Sequence, residues 1–354
     1  MNPGKISESV LKRSVLRNIK QKNQAVVQGA GIGLDCALFD AERLAVSTDS
    51  YVLEDGCSVR DAVILTVNDI AAGGARPVAV TDSLFLPTEM EEIKLQHIIK
   101  EMDQACKELQ IQIAGGHTEI TDAVRSPILT ITAFGDRQHG KVEEKADAED
   151  AANTYVVEKA DAHAAAGMDV VLTKQIGLEG TSRIARLKDK ELAVRYPVTL
   201  IEEAKGFDQY LSIVPEAATA VKSSVCLMHD VHRGGIFGAL WELAARAGVG
   251  LIIELKQIPI RQETVEICEF YDLNPYELTS GGALLMITPD GNRLVEELEQ
   301  QEIFASVIGK TTDNHDKLII NEEETRYLEP PRADEIDRFL QMYVEKGEKG
   351  KDIK

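Results

Sequence analysis

In the stretch running from LAVSTDSYV to VNDIAAGGARP, residues 44–77, the side chains best suited to chemistry are Asp49 and Asp69. Hard divalent cations take oxygen ligands, and magnesium usually binds one or two carboxylates, with phosphate oxygens completing its shell. Two carboxylates meeting in one cleft would make a metal-nucleotide site. The same pair also reads as a strand-end turn and a solvated helix end, and spacing alone leaves both readings open. The elements that must position them are legible. Arg43 to Thr48 reads as a strand running into Asp49. Ser58 to Ala72 reads as a helix that carries Asp69 near its C-terminal end, before Gly73-Gly74 stops it.

A chain of 354 residues exceeds what one core usually supports, which predicts two domains. No apolar run approaches the ~20 residues needed to cross a bilayer, so a membrane is not expected as a partner. The start, MNPGKISESVLKRSVLRNIK, is basic and amphipathic without a signal-peptide core, and the expectation is a cytoplasmic protein. A net charge of −20 disfavours nucleic acid and anionic lipid, while a nucleotide remains admissible if metal and local basic groups offset that field. Aromatic content of 5% offers no stacking platform for single strands. Cys36, Cys57, Cys106, Cys226 and Cys268 show no CxxC spacing and read as free thiols of a reducing compartment.

Along the chain, Ile6 to Lys20 reads as a helix, followed by the glycine run QGAGIGLDCALFD. A dinucleotide fingerprint from Gly29 and Gly31 would need glycine where Leu34 stands, and a Walker A loop before Gly309-Lys310-Thr311 finds Phe304. What remains is a glycine loop delivering Asp35 into a strand, Cys36 to Asp40. Val78 to Leu86 reads as a strand, Glu89 to Leu109 as a helix, and Ile111 to Ala114 as a short strand ending at GGHTEITD. Gly115 and Gly116 would let the backbone approach a ligand, with His117, Thr118 and Glu119 placed there. His117 reads either as a group hydrogen-bonded across that turn or as a general acid or base. Ile128 to Phe134 closes the first unit. The acidic, aperiodic residues 141–161 read as a linker. The boundaries expected are 1–140, 162–335, and a C-terminal helix with charged tail over 336–354.

In the second unit, GMDVVLTKQIGLEG reads as a strand and a helix starting at Thr181-Ser182. Helices are expected at Leu200 to Lys205 and Pro215 to Lys222, and a strand at Ser224 to Met228. Asp230 and Arg233 then precede Gly234-Gly235, which opens a helix whose amides would face an anion. His229 and His232 lack a third nitrogen or sulfur ligand nearby, which weakens a metal reading. The remainder alternates strands and helices, so the fold class expected is layered α/β and α+β in two domains.

The ordered series GIGLDCALF, ERLAVSTDSYV, VNDIAAGGARPVAV, GGHTEIT, TKQIGLEGT, MHDVHRGGIFGALWELA and VEICEFYDLNPYELTSGGALLMI resembles the aminoimidazole-ribonucleotide synthetase (PurM-like) superfamily, and within it the HypE group of hydrogenase maturation factors. The resemblance spans residues 5–335. It implies an N-terminal ATP- and Mg2+-binding domain whose strands join those of a second subunit in a dimer-forming β-barrel, hence a homodimer, and a C-terminal α+β domain closing over the cleft. It implies activation of an amide or carboxyl oxygen by phosphorylation, or phosphorylation of an acceptor by a kinase of the thiamine-monophosphate type. Residue by residue, Asp35, Asp49 and Asp69 match the carboxylates for metal and phosphate, and Asn68 completes the family's ND pair. Gly115 and Gly116, the candidate nucleotide-binding glycines, stand where many relatives carry the first two residues of G-G-D. Asp230, Arg233, Gly234 and Gly235 match the D-x-x-R-G-G element facing the cleft.

The pattern also departs from the family. Leu34 replaces the first of two aspartates, His117 stands where an acidic ligand is usual, and Glu119 stands where the HypE group has lysine. Ser280-Gly281-Gly282-Ala283 replaces N-E-G-K, and the chain ends KGEKGKDIK where that group has a reactive cysteine. The expectation is a HypE-like ATP-dependent enzyme whose small-molecule or protein-borne acceptor is unknown. Magnesium would be held by Asp49, Asp69 and Asp35, the anion by Arg233, Gly234 and Gly235, and His117 is the candidate acid or base. The competing expectation is a nucleotide-binding assembly protein that has lost the chemistry.

Overall fold

The computed structural model describes residues 8–10, 12, 16, 26–28, 31–34, 36–39, 44–53, 56–137 and 164–349. Most of the expected helix over 6–20, Asp35 itself and the 141–161 linker lie outside the described residues. After a helical turn α1 (Glu8–Val10) come β1 (Val26–Gln28), β2 (Ala37–Phe39), β3 (Leu44–Val52), α2 (Val59–Ala72), β4 (Arg76–Leu86), α3 (Glu92–Glu108), β5 (Gln112–Ile120) and β6 (Ile128–Asp136). The strands form one sheet in the order β1-β2-β3-β6-β4-β5. Only β4 and β5 pair in parallel, and the crossover that parallel pairing demands is α3. Among the described residues this sheet is open, so the barrel implied by the family resemblance is not closed within one chain.

Alternation in LAVSTDSYV puts Ala45, Ser47, Asp49 and Tyr51 on the face that packs on α2, and Thr48, Ser50 and Val52 on the opposite, exposed face. Strand β3 runs on past Thr48, so Asp49 lies inside a strand rather than at its end. Helix α2 starts where the sequence predicts, at a capping box. The Ser58 hydroxyl accepts from the Asp61 amide at 3.0 Å, and the Asp61 carboxylate accepts from the Ser58 amide at 3.2 Å. Nearly all of α2 is buried, because β3 and β6 cover one side and the second domain covers the other. A helix apolar on both faces is what such a central position requires.

The second domain holds β7 (Asp169–Thr173), α4 (Leu178–Leu187), α5 (Asp189–Leu192), α6 (Val198–Lys205), α7 (Val214–Lys222), β8 (Leu227–Val231), α8 (Gly235–Ala247), β9 (Gly250–Glu254), α9 (Gln262–Tyr271), β10 (Ala283–Thr288), α10 (Gly291–Glu299), β11 (Ala305–Thr312), β12 (Lys317–Asn321), β13 (Glu324–Tyr327) and α11 (Glu335–Lys349). Its seven strands run in the order β13-β12-β9-β11-β7-β10-β8. Helix α4 begins at Leu178 rather than at Thr181-Ser182, and β8 reaches Val231, so Asp230 is a strand residue paired with Leu284 of β10. Helix α11 is anchored in this domain, with Ile336 and Phe339 buried beside Ile267 and Leu278.

The domains are stapled through polar groups of α2. The Asn68 side chain donates to the Leu211 carbonyl at 2.7 Å and accepts from the Ile213 amide at 3.0 Å. Arg186 of α4 reaches Asp61 at 2.6 Å and the Gly56 carbonyl at 3.2 Å.

Candidate active site in the cleft between the domains

Strand β3 and helix α2 deliver the two carboxylates to one region. The Ser47 hydroxyl donates to Asp69 Oδ2 at 2.6 Å, and Ser47 shares its strand face with Asp49, about 7 Å along the chain at the strand rise. The Tyr51 hydroxyl, itself 3.4 Å from Thr66 Oγ1, donates to Asp49 Oδ2 at 3.2 Å. Burial, then the neighbouring Asp49 charge, raises the Tyr51 phenol well above its ordinary value, so it stays a donor. Each carboxylate is thus oriented by a hydroxyl behind it. Asp35 is not described, but its neighbour Cys36 packs at the end of α2, where a Cβ on Gly73 would lie 2.4 Å from the Cys36 sulfur. Among the described residues no group of three or more His, Cys, Asp or Glu is set to hold a metal by itself. Two oriented carboxylates nonetheless fit magnesium, which leaves its remaining positions to water and phosphate.

The β5 region departs from expectation. GGHTEI is not a turn but part of β5, in parallel register with β4. Asp49, Ile131, Asp82 and Gly116 line up across four strands, while Ser50, Thr130, Ser83 and His117 form the adjacent row. Adjacent rows point to opposite faces. His117 is therefore on the other side of the sheet from Asp49, largely exposed and 3.2 Å from Glu119, and within one chain it does not reach the carboxylates. Gly116 is needed for a different reason: a Cβ there would stand 2.3 Å from Asp82 Oδ1. Asp82 joins the Asp49 side of the sheet, its carboxyl raised by burial.

The D-x-x-R-G-G element is also arranged differently from expectation. Arg233 donates to Asp337 of α11 at 2.8 Å. The Gly234 amide donates to Asp334 Oδ2 at 2.6 Å, and Asp334 Oδ1 also accepts from the Thr279 and Ile336 amides at 3.0 and 2.9 Å. The Gly235 amide donates to the His232 carbonyl at 3.2 Å. The anion at the start of α8 is thus the chain's own Asp334. Burial pushes that carboxyl up to about 6, against the lowering pull of the Gly234 and Ile336 amides and of Arg233. Gly235, at φ +61°, is fixed by packing, since a Cβ would lie 2.5 Å from the Tyr276 carbonyl. A cavity of about 520 Å3 opens here between Gly234, Phe237 and residues 326–333, and Asp49, Asp69, Glu179 and His232 do not line it.

What the second domain does present to Asp49 is His232. Its Nδ1 is 4.0 Å from Asp49 Oδ2, and its Nε2 is 3.6 Å from Glu179 Oε2. Glu179, 1% exposed, accepts from the Thr279 hydroxyl at 2.7 Å, the Gly281 amide at 3.1 Å and Arg183 at 3.2 Å. Burial alone would raise the Glu179 carboxyl; the His232 charge above all, then Arg183 and Thr279, reverse this and hold it well below the carboxylate range. Burial alone would lower His232, and Glu179, then Asp49 and Asp230, raise it instead. Glu179 was hidden in the sequence as one carboxylate in an otherwise small and apolar helix start. The GGA run around Gly281 was the available signal, because a Cβ at 281 would meet both Leu65 of α2 and Glu179.

The comparisons agree with this architecture. The sequence model of the AIR synthase related protein, N-terminal domain, matches residues 33–136, and that of its C-terminal domain matches residues 165–321. The chain belongs to the AIR synthase-related family. Among its relatives is MJ0676 of Methanocaldococcus jannaschii, a candidate hydrogenase expression/formation protein, 27% identical over 95% of this chain and 96% of that one. Another is the carbamoyl dehydratase HypE of Rhodobacter capsulatus, 28% identical over 77% of this chain and 76% of that one. A crystal structure of the hydrogenase maturation protein HypE in complex with ATP superposes with a TM-score of 0.67 at 18% identity, covering 95% of this chain and 98% of the other. The PurM-like fold and the closeness to HypE expected from the motifs are therefore established.

Proposed function

We propose that this protein is an ATP-dependent enzyme that transfers the terminal phosphoryl group of ATP to the oxygen of a small amide or carboxyl compound. The observation that carries the reading is the convergence of Asp49 and Asp69, each oriented by a hydroxyl, on a cleft that the second domain faces with His232 and Glu179. The relatives support it: HypE is named a carbamoyl dehydratase, and a HypE has been crystallised with ATP.

Asp49, Asp69 and Asp35 are the residues that would hold magnesium. When bound there, magnesium supplies positive charge to the ATP phosphates as charge develops during transfer. The chain's own residues do the rest. Ser47 and Tyr51 fix the carboxylates, which keeps the ligand oxygens from having to reorganise. The staples at Asn68 and Arg186 hold the second domain over the first, which would align an acceptor against the carboxylates. We place the homodimer contact on the exposed face of the first sheet, around Ser50, Thr130 and β5.

A second reading, a nucleotide-binding assembly protein without turnover, is favoured by the engagement of Arg233 and Gly234 with Asp337 and Asp334. Phosphate release from ATP, measured over a panel of amides and carboxylates, separates the two. The enzyme reading expects an acceptor-dependent rate that Asp49→Asn and Asp69→Asn abolish. Acceptor-independent silence, with nucleotide binding intact, would establish the second reading.

A further inference from the structure

We infer that the cavity at the start of α8 binds a small zwitterion of short-peptide size, with its carboxylate on Arg326 and its ammonium on Glu277. At about 520 Å3 the cavity has the size of a small-molecule site, for which ~300–1,000 Å3 is usual. Asp49, Asp69, Glu179 and His232 do not line it, so its occupant is separate from the ATP and the acceptor proposed above. Local structure puts opposite charges on its walls. Arg326 of β13 lies directly opposite Ile319 of β12, and residues paired in this way share a sheet face. Ile319 belongs to the core that includes Phe237, and the same face brings the Arg326 guanidinium over the Phe237 ring, 5.7 Å from its centre. Across the cavity, the turn 274–277 is held on α8: Tyr276 stacks on Phe237 at 5.1 Å, and its carbonyl accepts from the Phe237 amide at 3.2 Å. The Asn274 side chain accepts from the Tyr276 amide at 3.2 Å, which fixes the turn that presents Glu277.

Among the described residues, neither of these two charges is answered by an opposite one. The other charged side chains lining the cavity, Arg332 and Glu329, pair with each other. What remains is one guanidinium against an aromatic face and one carboxylate on the opposite wall. A simple anion would find Glu277 as a like charge, and a simple cation would find Arg326. A zwitterion satisfies both. The planar fork of arginine matches a carboxylate, and charge-assisted hydrogen bonds are the strong class. Phe237, Ile319 and Leu328 supply an apolar wall for a side chain between the two charged ends.

The test is calorimetric titration of the full-length protein with the dipeptide leucyl-leucine, and with the same dipeptide amidated at its carboxylate or acetylated at its amine. The zwitterion should bind, and each capped form should bind roughly tenfold more weakly, the lower end for a hydrogen bond to a charged group because Arg326 stays exposed. Arg326→Gln should lose the preference over the amidated form, and Glu277→Gln the preference over the acetylated form, which a merely structural charge would not cause. Gly238→Leu locates the site: a Cβ there meets only the Arg233 carbonyl, at 3.4 Å, and the longer side chain should fill the cavity and abolish binding. Melting curves verify that each variant is folded. No binding to wild type at millimolar dipeptide, equal affinity for zwitterion and capped forms, or undiminished binding to folded Gly238→Leu overturns the inference while leaving the ATP reading standing.

Discussion

Ser47 shows how much of this site depends on single side chains that touch no ligand. Its hydroxyl orients Asp69 at 2.6 Å, and outer-shell partners of this kind typically cost about 10–100-fold in metal affinity when removed. Ser47→Ala should therefore weaken magnesium-dependent nucleotide binding by that range without lowering the melting temperature appreciably; a normal magnesium titration would show that Asp69 is not a ligand. The His232–Glu179 pair makes a second prediction, in pH. The histidine is raised, so its stabilisation is complete below its ordinary value of 6.5 and fades as pH climbs through the folded value. The glutamate is lowered, so its contribution is complete above its ordinary value of 4.5 and fades as pH falls toward the folded value. The pair stabilises most between those two values. In melting curves, His232→Gln should lose the decline in stability that wild type shows on the alkaline side of that window, and parallel wild-type and variant profiles would contradict the pairing.

Helix α2 is the element on which both functions of the chain converge, because it carries Asp69 toward the cleft and Asn68 into the second domain. Asn68→Ala removes the one buried side-chain amide that serves both the Leu211 carbonyl and the Ile213 amide, and strands them. At about 1–3 kcal/mol for each of the two orphaned buried groups, the expected cost is roughly 2–6 kcal/mol in denaturant unfolding. A cost under about 0.5 kcal/mol would mean the domains do not depend on this staple. The element was legible from the sequence: the apolar run, Ser58 as its start and the glycine pair as its stop are local signals. Strand β3 was legible through its alternation, although its end was placed too early because Asp49 reads as a turn residue. Strand β5 was ended too early, at Ala114 rather than Ile120, for a physical reason. Glycine pairs usually mark turns, yet here Gly116 lies inside a strand to make room for Asp82 on the neighbouring one.

For the molecule as a whole, the order of motifs was enough to give two domains and the family, since the family's motifs recur along most of the chain. The composition of the cleft was not, because Glu179, His232 and Asp49 come from three distant stretches and their contacts exist only once the domains pack. Asp334 and Asp337 lie among other charged residues and look like a solvated face until the start of α11 docks on the Arg233–Gly234 turn before α8. At the scale of assembly, the homodimer proposed on the exposed face of the first sheet and its β5 edge should give twice the chain mass in light scattering, and a monomer at micromolar concentration would remove that surface from the account. With a net charge of −20, the protein should hold a nucleotide only as its metal complex. Calorimetric titration with ATP, with and without magnesium, on wild type and Asp49→Asn, tests this most directly. The account predicts magnesium-dependent binding at about one site per chain, as two carboxylates completed by phosphate require, and its loss in Asp49→Asn. Binding that ignores magnesium, or that survives Asp49→Asn unchanged, would contradict it.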